Sequence, residues 1–145
     1  METRTIRHII EDRELLTATV DMPVAEAARQ MRQHRAGAIL VVQDGRLAGI
    51  FTERDALFRV VAAGLDPTTT SIAEVMTRDP SSLGPDQPFA VALQLMHEGQ
   101  FRRVPIVDKG RPIGMVSSQD ALGPELEDFM YNIILDEHAH GDLLA

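Results

Sequence analysis

The sequence has no cysteine and no tryptophan, and its aromatic residues are one tyrosine and five phenylalanines. Without cysteine, the chain can form no disulfide, no thiol nucleophile and no cysteine-ligated metal cluster. Basic residues are also in the minority, with 14 Lys and Arg against 22 Asp and Glu and a net charge of −8. Because nucleic-acid binding relies on positive charge and on aromatic stacking, we expect no nucleic-acid partner.

Long hydrophobic runs are absent as well, and nothing resembles a signal peptide or a span of about twenty apolar residues. We therefore expect a cytoplasmic protein that has no membrane partner. Apolar residues make up 44% of the chain and charged residues 25%, which is typical of a folded globular protein. The length of 145 residues allows one ordinary domain or two very small ones.

The most informative feature is an internal repeat at an offset of 65 residues. Positions 21–57 match the second half at 12 of 37 positions without a gap, where chance would give roughly three. The matches include Gly45 with Gly110 and Gly49 with Gly114. Two copies are too few for a solenoid, so we expect two units packed about a pseudo-two-fold axis. A duplicated unit without a shared site remains the alternative.

Each copy has the pattern strand, helix, strand, strand, helix. Apolar residues recur at helical spacing after Pro23, and two β-rich runs flank a turn at Asp44-Gly45, which is a strong hairpin signal. The predicted elements of the first copy are a strand at 17–20, a helix from 24, strands at 38–42 and 47–51, and a helix at 53–63. Those of the second copy are Ser81–Leu83, Phe89–Glu98, Val104–Val107, Ile113–Val116 and a helix that begins near Gln119.

A further amphipathic helix is predicted after Gly123-Pro124. Its apolar positions follow the spacing i, i+3, i+4, i+7 and i+8. They are Leu126, Phe129, Met130, Ile133 and Ile134. This stripe is expected to pack on the core of its own chain or to form a dimer contact.

Each copy also places a hydroxyl residue three positions before an aspartate at the start of its last helix. These pairs are Thr52 with Asp55 and Ser117 with Asp120, and each follows a strand that ends in glycine and two apolar residues. Such a pair can simply cap a helix. It can also bind a nucleotide, since helix amides hold phosphate and a carboxylate accepts the hydroxyl groups of ribose.

The order, spacing and duplication of these motifs over residues 5–122 resemble a tandem pair of CBS domains, the adenosyl-binding modules named after cystathionine β-synthase. The matching segments are 71–80, which reads SIAEVMTRDP, 101–108, which reads FRRVPIVD, and the two hydroxyl-x-x-Asp elements. The resemblance implies an α/β fold of two βαββα units, at 5–65 and 71–123. Residues 124–145 would then form a C-terminal helix and tail.

The resemblance also implies a function and a set of site residues. The cleft between the units would bind an adenosyl compound such as AMP, ADP, ATP, NAD or S-adenosylmethionine. Asp55 and Asp120 would hold ribose, and Thr52 and Ser117 would contact phosphate. The other residues it assigns are Leu16, Thr17, Ser81, Ser82, Ile50 and Met115 beside the adenine, Arg54, Arg102 and Arg103 at the phosphates, and Gly37, Ala38 and Pro105 on the neighbouring strands.

The two copies predict unequal sites, because Gly37 and Ala38 stand where the second copy has Arg102 and Arg103. We expect phosphorylated ligands at the site with Ser117, Asp120 and this arginine pair, with Arg54 reaching across to it. The resulting hypothesis is a non-catalytic, homodimeric sensor that acts on a regulated protein. It needs no redox or catalytic cofactor and no metal. The alternatives are a structural dimerisation module with empty clefts and a small nucleotide hydrolase.

Overall fold

The structure, a computed structural model, describes residues 4–139. It is built from two α/β halves whose sheets face each other, as the repeat predicts. Within the described range, no helix has both the length and the apolar character needed to cross a membrane.

The first half contains a four-stranded sheet in the order β1-β2-β3-β4. β1 pairs with β2 in parallel, and the other neighbours are antiparallel. The helices bury their apolar faces against this sheet or against the second half. The elements are α1 (Ile6–Ile10), β1 (Thr17–Thr19), α2 (Val24–Gln33), β2 (Ala38–Gln43), β3 (Arg46–Thr52), α3 (Glu53–Asp55) with a π-helical continuation (Ala56–Val61), a 3-10 turn (Ile72–Glu74) and β4 (Thr77–Arg78).

The second half contains an antiparallel hairpin, flanked by a helix on each side along the chain. Its last strand leads into a single 3-10 turn and then into the long C-terminal helix. The elements are α4 (Phe89–Gly99), β5 (Arg103–Asp108), β6 (Arg111–Ser117), the 3-10 turn (Ser118–Asp120) and α5 (Gly123–Ala139).

The repeat extends to the hydrogen-bond register of the strands. Ala38 pairs with Thr52 in the first hairpin, and Arg103 pairs with Ser117 in the second. Both hairpins also shift register at equivalent places, after Val41 and after Ile106. A difference of 65 separates each pair of equivalent residues, so the sequence repeat is a repeat of backbone structure.

Buried apolar residues form one cluster in each half and a third between the halves. The third cluster contains Ala38, Leu40 and Ile50 from the first hairpin, and Met115 from the second packs against it. The backbone N–H of Leu47 also donates to the carbonyl of Gly110 across the contact, at 3.2 Å. The two hairpins therefore hold the halves together, which positions the cleft described below.

The helix predicted near Gln119 is wrong as a continuous element. Only the 3-10 turn forms, and Ala121 has extended backbone, with ψ of 134°. Pro124 lies at the position that Arg59 occupies in the first half, and proline has no N–H to donate to the carbonyl four residues earlier. That carbonyl, of Asp120, instead accepts a hydrogen bond from Arg4 at 2.8 Å.

The strand predicted at Ser81–Leu83 is reduced to one bridge, between Leu83 and Ile106. In the first half, the N–H of Leu40 donates to the carbonyl of Leu16 and lengthens the equivalent ladder. Pro105 replaces Leu40 in the second half and has no N–H. The ladder therefore cannot extend back to Ser81.

The C-terminal helix α5 spans Gly123–Ala139. Leu126 and Met130 of its predicted apolar stripe are 42% and 51% exposed. The side chains of Phe129 and Ile133 lie outside the described part of the structure, as does the predicted tail at 140–145.

Candidate functional site

A cleft of about 600 Å³ opens where the end of β3 meets the second half. We call it the first cleft. Its lining combines residues of the first hairpin and first hydroxyl-x-x-Asp element with residues 77–81, which begin with β4, and with residues 100–103, which lead into β5. The lining residues are Ile50, Thr52, Arg54, Asp55, Arg59, Thr77, Arg78, Asp79, Pro80, Ser81, Gln100, Phe101, Arg102 and Arg103.

Thr52 and Asp55 form a reciprocal capping box at the start of α3. The Thr52 hydroxyl accepts from the Asp55 N–H at 3.2 Å, and Asp55 Oδ2 accepts from the Thr52 N–H at 3.0 Å. The Thr52 hydroxyl also donates to Asp55 Oδ2, at 3.2 Å. Asp55 is only 8% exposed, so these bonds fix the orientation of its carboxylate and place Oδ1 on the cleft side.

Asp55 Oδ1 has only distant partners within the described structure. The Thr77 hydroxyl lies 3.5 Å away, and Arg59 Nε lies 3.5 Å away. Arg59 also donates to the carbonyl of Met76 at 3.0 Å. Both contacts to Oδ1 are at the limit of hydrogen bonding, so this oxygen can accept a better donor.

Arg103 reaches from β5 into the first half. Its guanidinium donates to Glu53 Oε1 at 3.3 Å. It passes so close to Gly37 that a Cβ at that position would overlap Nη2 of Arg103. Gly37 therefore provides the space in which Arg103 crosses between the halves.

The first cleft is locally positive in an acidic chain. Five arginines line it against two aspartates, while the whole chain carries −8. Arg54 is held over the ring of Phe58, with Cζ 5.3 Å from the ring centre. The cleft can thus attract a small anion by a local field that the net charge does not reveal.

The predicted grouping of Ser117 and Asp120 with the arginine pair is not what the structure shows. The side chains of Arg102 and Arg103 line the cleft with Thr52, Arg54 and Asp55. The backbone of Arg103 does pair with Ser117, but its side chain is directed to Glu53 in the other half. Cross-strand pairing makes the two backbones neighbours without deciding where a long side chain points.

Asp120 is instead paired with Arg13. Arg13 Nη2 lies 2.6 Å from Asp120 Oδ1, and Asp120 Oδ2 accepts from the Ser117 N–H at 2.8 Å. The pKa of Arg13 is raised above its ordinary value, first by the hydrogen bond to Asp120, against the opposing effect of partial burial, and also by the charge of Asp120.

The other predicted site residues lie partly in the first cleft and partly in the packed interior. Ile50 and Ser81 line the first cleft, whereas Ser82 and Pro105 are not among its lining residues. Ala38 and Pro105 are fully buried or nearly so. Leu16 packs against the core of the first half, Thr17 is exposed, and Met115 packs between the halves.

Sequence reasoning missed several residues of the first cleft. Arg59 lies four positions after Asp55, which is the spacing of an ion pair on one helix face, so that signal was present. Asp79 and Pro80 directly precede the predicted Ser81. Gln100 and Phe101 directly precede the arginine pair. Gln100 reaches the cleft because it ends α4 in the left-handed conformation, with φ of 58°, and the sequence did not indicate this conformation.

Comparison with known proteins identifies both halves with one family. The family model for the CBS domain matches residues 6–62 and again residues 72–123. The matched segments together span most of the chain, and each coincides with one copy of the repeat.

Curated relatives share this pair but differ in length. The CBS domain-containing protein YhcV of Bacillus subtilis is 39% identical over 107 residues, which cover 74% of this chain and 76% of YhcV. The CBS domain-containing protein CBSCBSPB1 of Arabidopsis thaliana is 38% identical over 101 residues, which cover 70% of this chain. The match spans only 19% of that plant protein.

Solved structures show the same architecture. The CBS domain pair of protein MJ0100, in complex with 5′-methylthioadenosine and S-adenosyl-L-methionine, has a TM-score of 0.73 and 26% identity. The match covers 82% of this chain and 93% of the MJ0100 chain. The fold of two α/β units predicted from the repeat is thereby confirmed.

Proposed function

This chain belongs to the CBS-domain family, and on that premise we propose that its first cleft binds an adenosyl ligand as a non-catalytic regulatory signal. The observation that supports the proposal most directly is the state of Asp55. Its carboxylate is fixed by the capping box, yet Oδ1 has contacts only at 3.5 Å. Ribose hydroxyl groups are donors that this oxygen can accept.

The surroundings of Asp55 suggest how the rest of the ligand lies. Ile50, Pro80 and Phe101 of the lining supply apolar surface for an adenine ring. Arg54, Arg102 and Arg103 supply cations for phosphate, and guanidinium groups bind phosphate through paired N–H donors.

The charge of the first cleft favours a phosphorylated ligand. Protein MJ0100 binds 5′-methylthioadenosine and S-adenosyl-L-methionine, which shows that a CBS pair can bind adenosyl compounds without phosphate. In this chain, five arginines surround the cleft, and they would repel the sulfonium of S-adenosylmethionine. We therefore propose a phosphorylated ligand, AMP, ADP, ATP or NAD, ahead of S-adenosylmethionine.

A ligand can regulate a protein only if it binds one of two conformational states more tightly than the other. We propose that a homodimer of this chain provides these two states. Leu57, Phe58 and Val61 on the π-helical segment are 53%, 57% and 69% exposed. This segment directly follows Asp55, so ligand contacts at Asp55 adjoin the apolar surface. A second copy that covers this surface would transmit the signal to a regulated protein.

Isothermal titration calorimetry tests the proposal with AMP, ADP, ATP, NAD and S-adenosylmethionine. The informative variant is Asp55→Asn, because the capping bonds occupy the amide oxygen and leave an NH₂ donor towards the ribose. The matched control is Asp120→Asn, at the equivalent position of the second half. We expect wild type and Asp120→Asn to bind AMP alike, and Asp55→Asn to bind it at least ten-fold more weakly.

Other outcomes identify the competing functions. No binding of any adenosyl ligand at millimolar concentration, with no shift in melting temperature, indicates a structural dimerisation module. Release of phosphate from ATP that Asp55→Asn abolishes indicates a hydrolase. Unchanged AMP binding by Asp55→Asn would place the ligand elsewhere.

A further inference from the structure

The two repeated aspartates differ in what holds their second carboxylate oxygen. In both, Oδ2 accepts the N–H of the residue three positions earlier, at 3.0 Å for Asp55 and 2.8 Å for Asp120. Asp55 Oδ1 then has contacts at 3.5 Å. Asp120 Oδ1 has Arg13 Nη2 at 2.6 Å. Each of these two oxygens thus has an arginine beside it, but Arg59 lies at the limit of hydrogen bonding from Asp55, whereas Arg13 forms a short bond to Asp120.

A ribose hydroxyl competes poorly for that oxygen. Either donor would bond to an ionised carboxylate, but Arg13 adds its own opposite charge to a hydrogen bond of 2.6 Å, whereas a ribose hydroxyl is neutral. The Asp120 side chain is 11% exposed and that of Arg13 is 47% exposed. Solvent at the half-exposed arginine screens part of the attraction, so the short bond to a nearly buried carboxylate oxygen carries the argument.

A second arginine of the N-terminal segment, Arg4, also binds Asp120. Arg4 donates to the Asp120 carbonyl at 2.8 Å and to Glu125 Oε1 at 2.7 Å. Arg4 lies over the ring of Phe89, with Cζ 5.3 Å from the ring centre. Two arginines of one segment therefore bind one aspartate, through its backbone and its side chain.

The cations that favour phosphate in the first cleft have no counterparts here. Gln119 stands at the position equivalent to Arg54, and Gly37 and Ala38 stand at those equivalent to Arg102 and Arg103. A nucleotide that displaced Arg13 would gain none of these contacts.

We infer that Arg13 acts as an internal ligand that blocks the second nucleoside site, so that each chain binds one adenosyl ligand, at Asp55. This inference rests on the proposed function, because it takes Asp120 to be a ribose acceptor like Asp55 once Arg13 is removed. Arg13 then sets the stoichiometry of the sensor.

The test is calorimetric titration with AMP, at concentrations up to several millimolar, on four variants beside wild type. They are Arg13→Gln, Arg13→Gln with Asp120→Asn, Arg13→Gln with Asp55→Asn, and the control Arg7→Gln. Arg7 forms an exposed ion pair with Asp86 at 3.0 Å, so the control removes an arginine–aspartate pair and the same charge away from Asp120. Circular dichroism melts verify that each variant is folded.

We expect one AMP per chain for wild type and for Arg7→Gln, and two for Arg13→Gln. Arg13→Gln with Asp120→Asn should return to one AMP per chain. Arg13→Gln with Asp55→Asn should also bind one AMP, at the newly opened site. Two AMP per wild-type chain would overturn the inference. The inference would also be overturned if Arg13→Gln still bound one AMP per chain. The same holds if Arg13→Gln lost AMP binding because Arg13 contacts the phosphate.

The same data separate this inference from the proposed function. If wild type binds one AMP through Asp55 and Arg13→Gln binds no more than one, Arg13 does not block a second site, and the proposed function is unaffected. If wild type binds no AMP and Arg13→Gln binds one AMP through Asp120, the first cleft is not the binding site, and the block by Arg13 is supported.

Discussion

Arg103 and Glu53 join the two halves at the edge of the first cleft, with Nη2 of the arginine 3.3 Å from Oε1 of the glutamate. The Glu53 side chain is 71% exposed, and ion pairs with so exposed a partner stabilise a protein little. Arg103 can therefore exchange Glu53 for a phosphate at small cost. The pair keeps the cation that we propose for phosphate binding in place before the ligand arrives.

Substitution of Gly37 is expected to weaken phosphate binding without unfolding the protein. In Gly37→Ala the new Cβ would overlap Nη2 of Arg103, so the guanidinium must leave its place. We expect about a ten-fold loss of AMP affinity, the effect of about 1.4 kcal/mol, and little change for adenosine. Calorimetry with both ligands measures the difference.

The control for that substitution is Gly84→Ala, because the nearest atom to a Cβ at Gly84 lies 4.0 Å away. It should bind both ligands like wild type. Equal losses for AMP and adenosine in Gly37→Ala would mean that Arg103 does not act on the phosphate.

Gly49→Ala should destabilise the first half. A Cβ at Gly49 would lie 2.8 Å from the carbonyl oxygen of Thr77, which belongs to the paired strand β4. Backbone in a sheet cannot yield as a side chain can, so we expect a loss of about 1 to 3 kcal/mol in the free energy of unfolding. Urea denaturation measures it. A loss no larger than that of Gly84→Ala would contradict the close packing of β4 on β3.

A charge on the exposed apolar surface should disrupt the proposed dimer and leave the fold intact. Val61 is 69% exposed, so Val61→Asp costs the monomer little, whereas burial of an unpaired carboxylate in an interface is costly. We expect wild type to sediment as a dimer and Val61→Asp as a monomer. Ala90→Asp, on an exposed position of α4, is the control and should remain dimeric. Monomeric wild type in analytical ultracentrifugation would refute the dimer.

The stability of α5 should depend on pH through Glu125. Partial burial acts to raise the pKa of Glu125, but the hydrogen bond from Arg4, the bond from the Leu122 N–H and the charge of Arg4 outweigh it and lower the pKa below its ordinary value of 4.5. A carboxyl with a lowered pKa in the folded state stabilises that state above the unfolded pKa. This contribution is lost as the pH falls below about 4.5.

Glu125→Gln therefore should be less stable than wild type at pH 7, by ~0.5 to 1 kcal/mol, as for a carboxylate at a helix N-terminus. The difference should shrink as the pH is lowered from 5 towards 3. Urea denaturation at several pH values measures this trend. A difference that stays constant over the range would show that the charge of Glu125 is not the cause.

The sequence by itself determined the duplication and most of the local structure. Strand pairing and capping depend on neighbouring residues, so the Asp44-Gly45 turn and the pairs Thr52 with Asp55 and Ser117 with Asp120 were readable from their spacing. The interruptions of the repeated elements could partly be predicted as well, because a proline lacks the N–H that its own helix or strand would need. Pro124 ends the turn after Asp120, and Pro105 shortens the ladder to Ser81.

The tertiary structure alone decided which distant side chains share a cleft. Arg103 is adjacent to Ser117 through the hairpin, yet its flexible side chain extends to Glu53 because Gly37 leaves room there. Asp120 meets Arg13 from a segment 107 positions earlier. Such long-range contacts depend on how the two halves pack and on how far long side chains extend. Neither can be read from the spacing of residues that are close in sequence. The sequence placed Asp55 and Asp120 at equivalent positions of the repeat and favoured Asp120 as the phosphate site. The packing instead leaves Asp55 Oδ1 with contacts at 3.5 Å and pairs Asp120 Oδ1 with Arg13 at 2.6 Å.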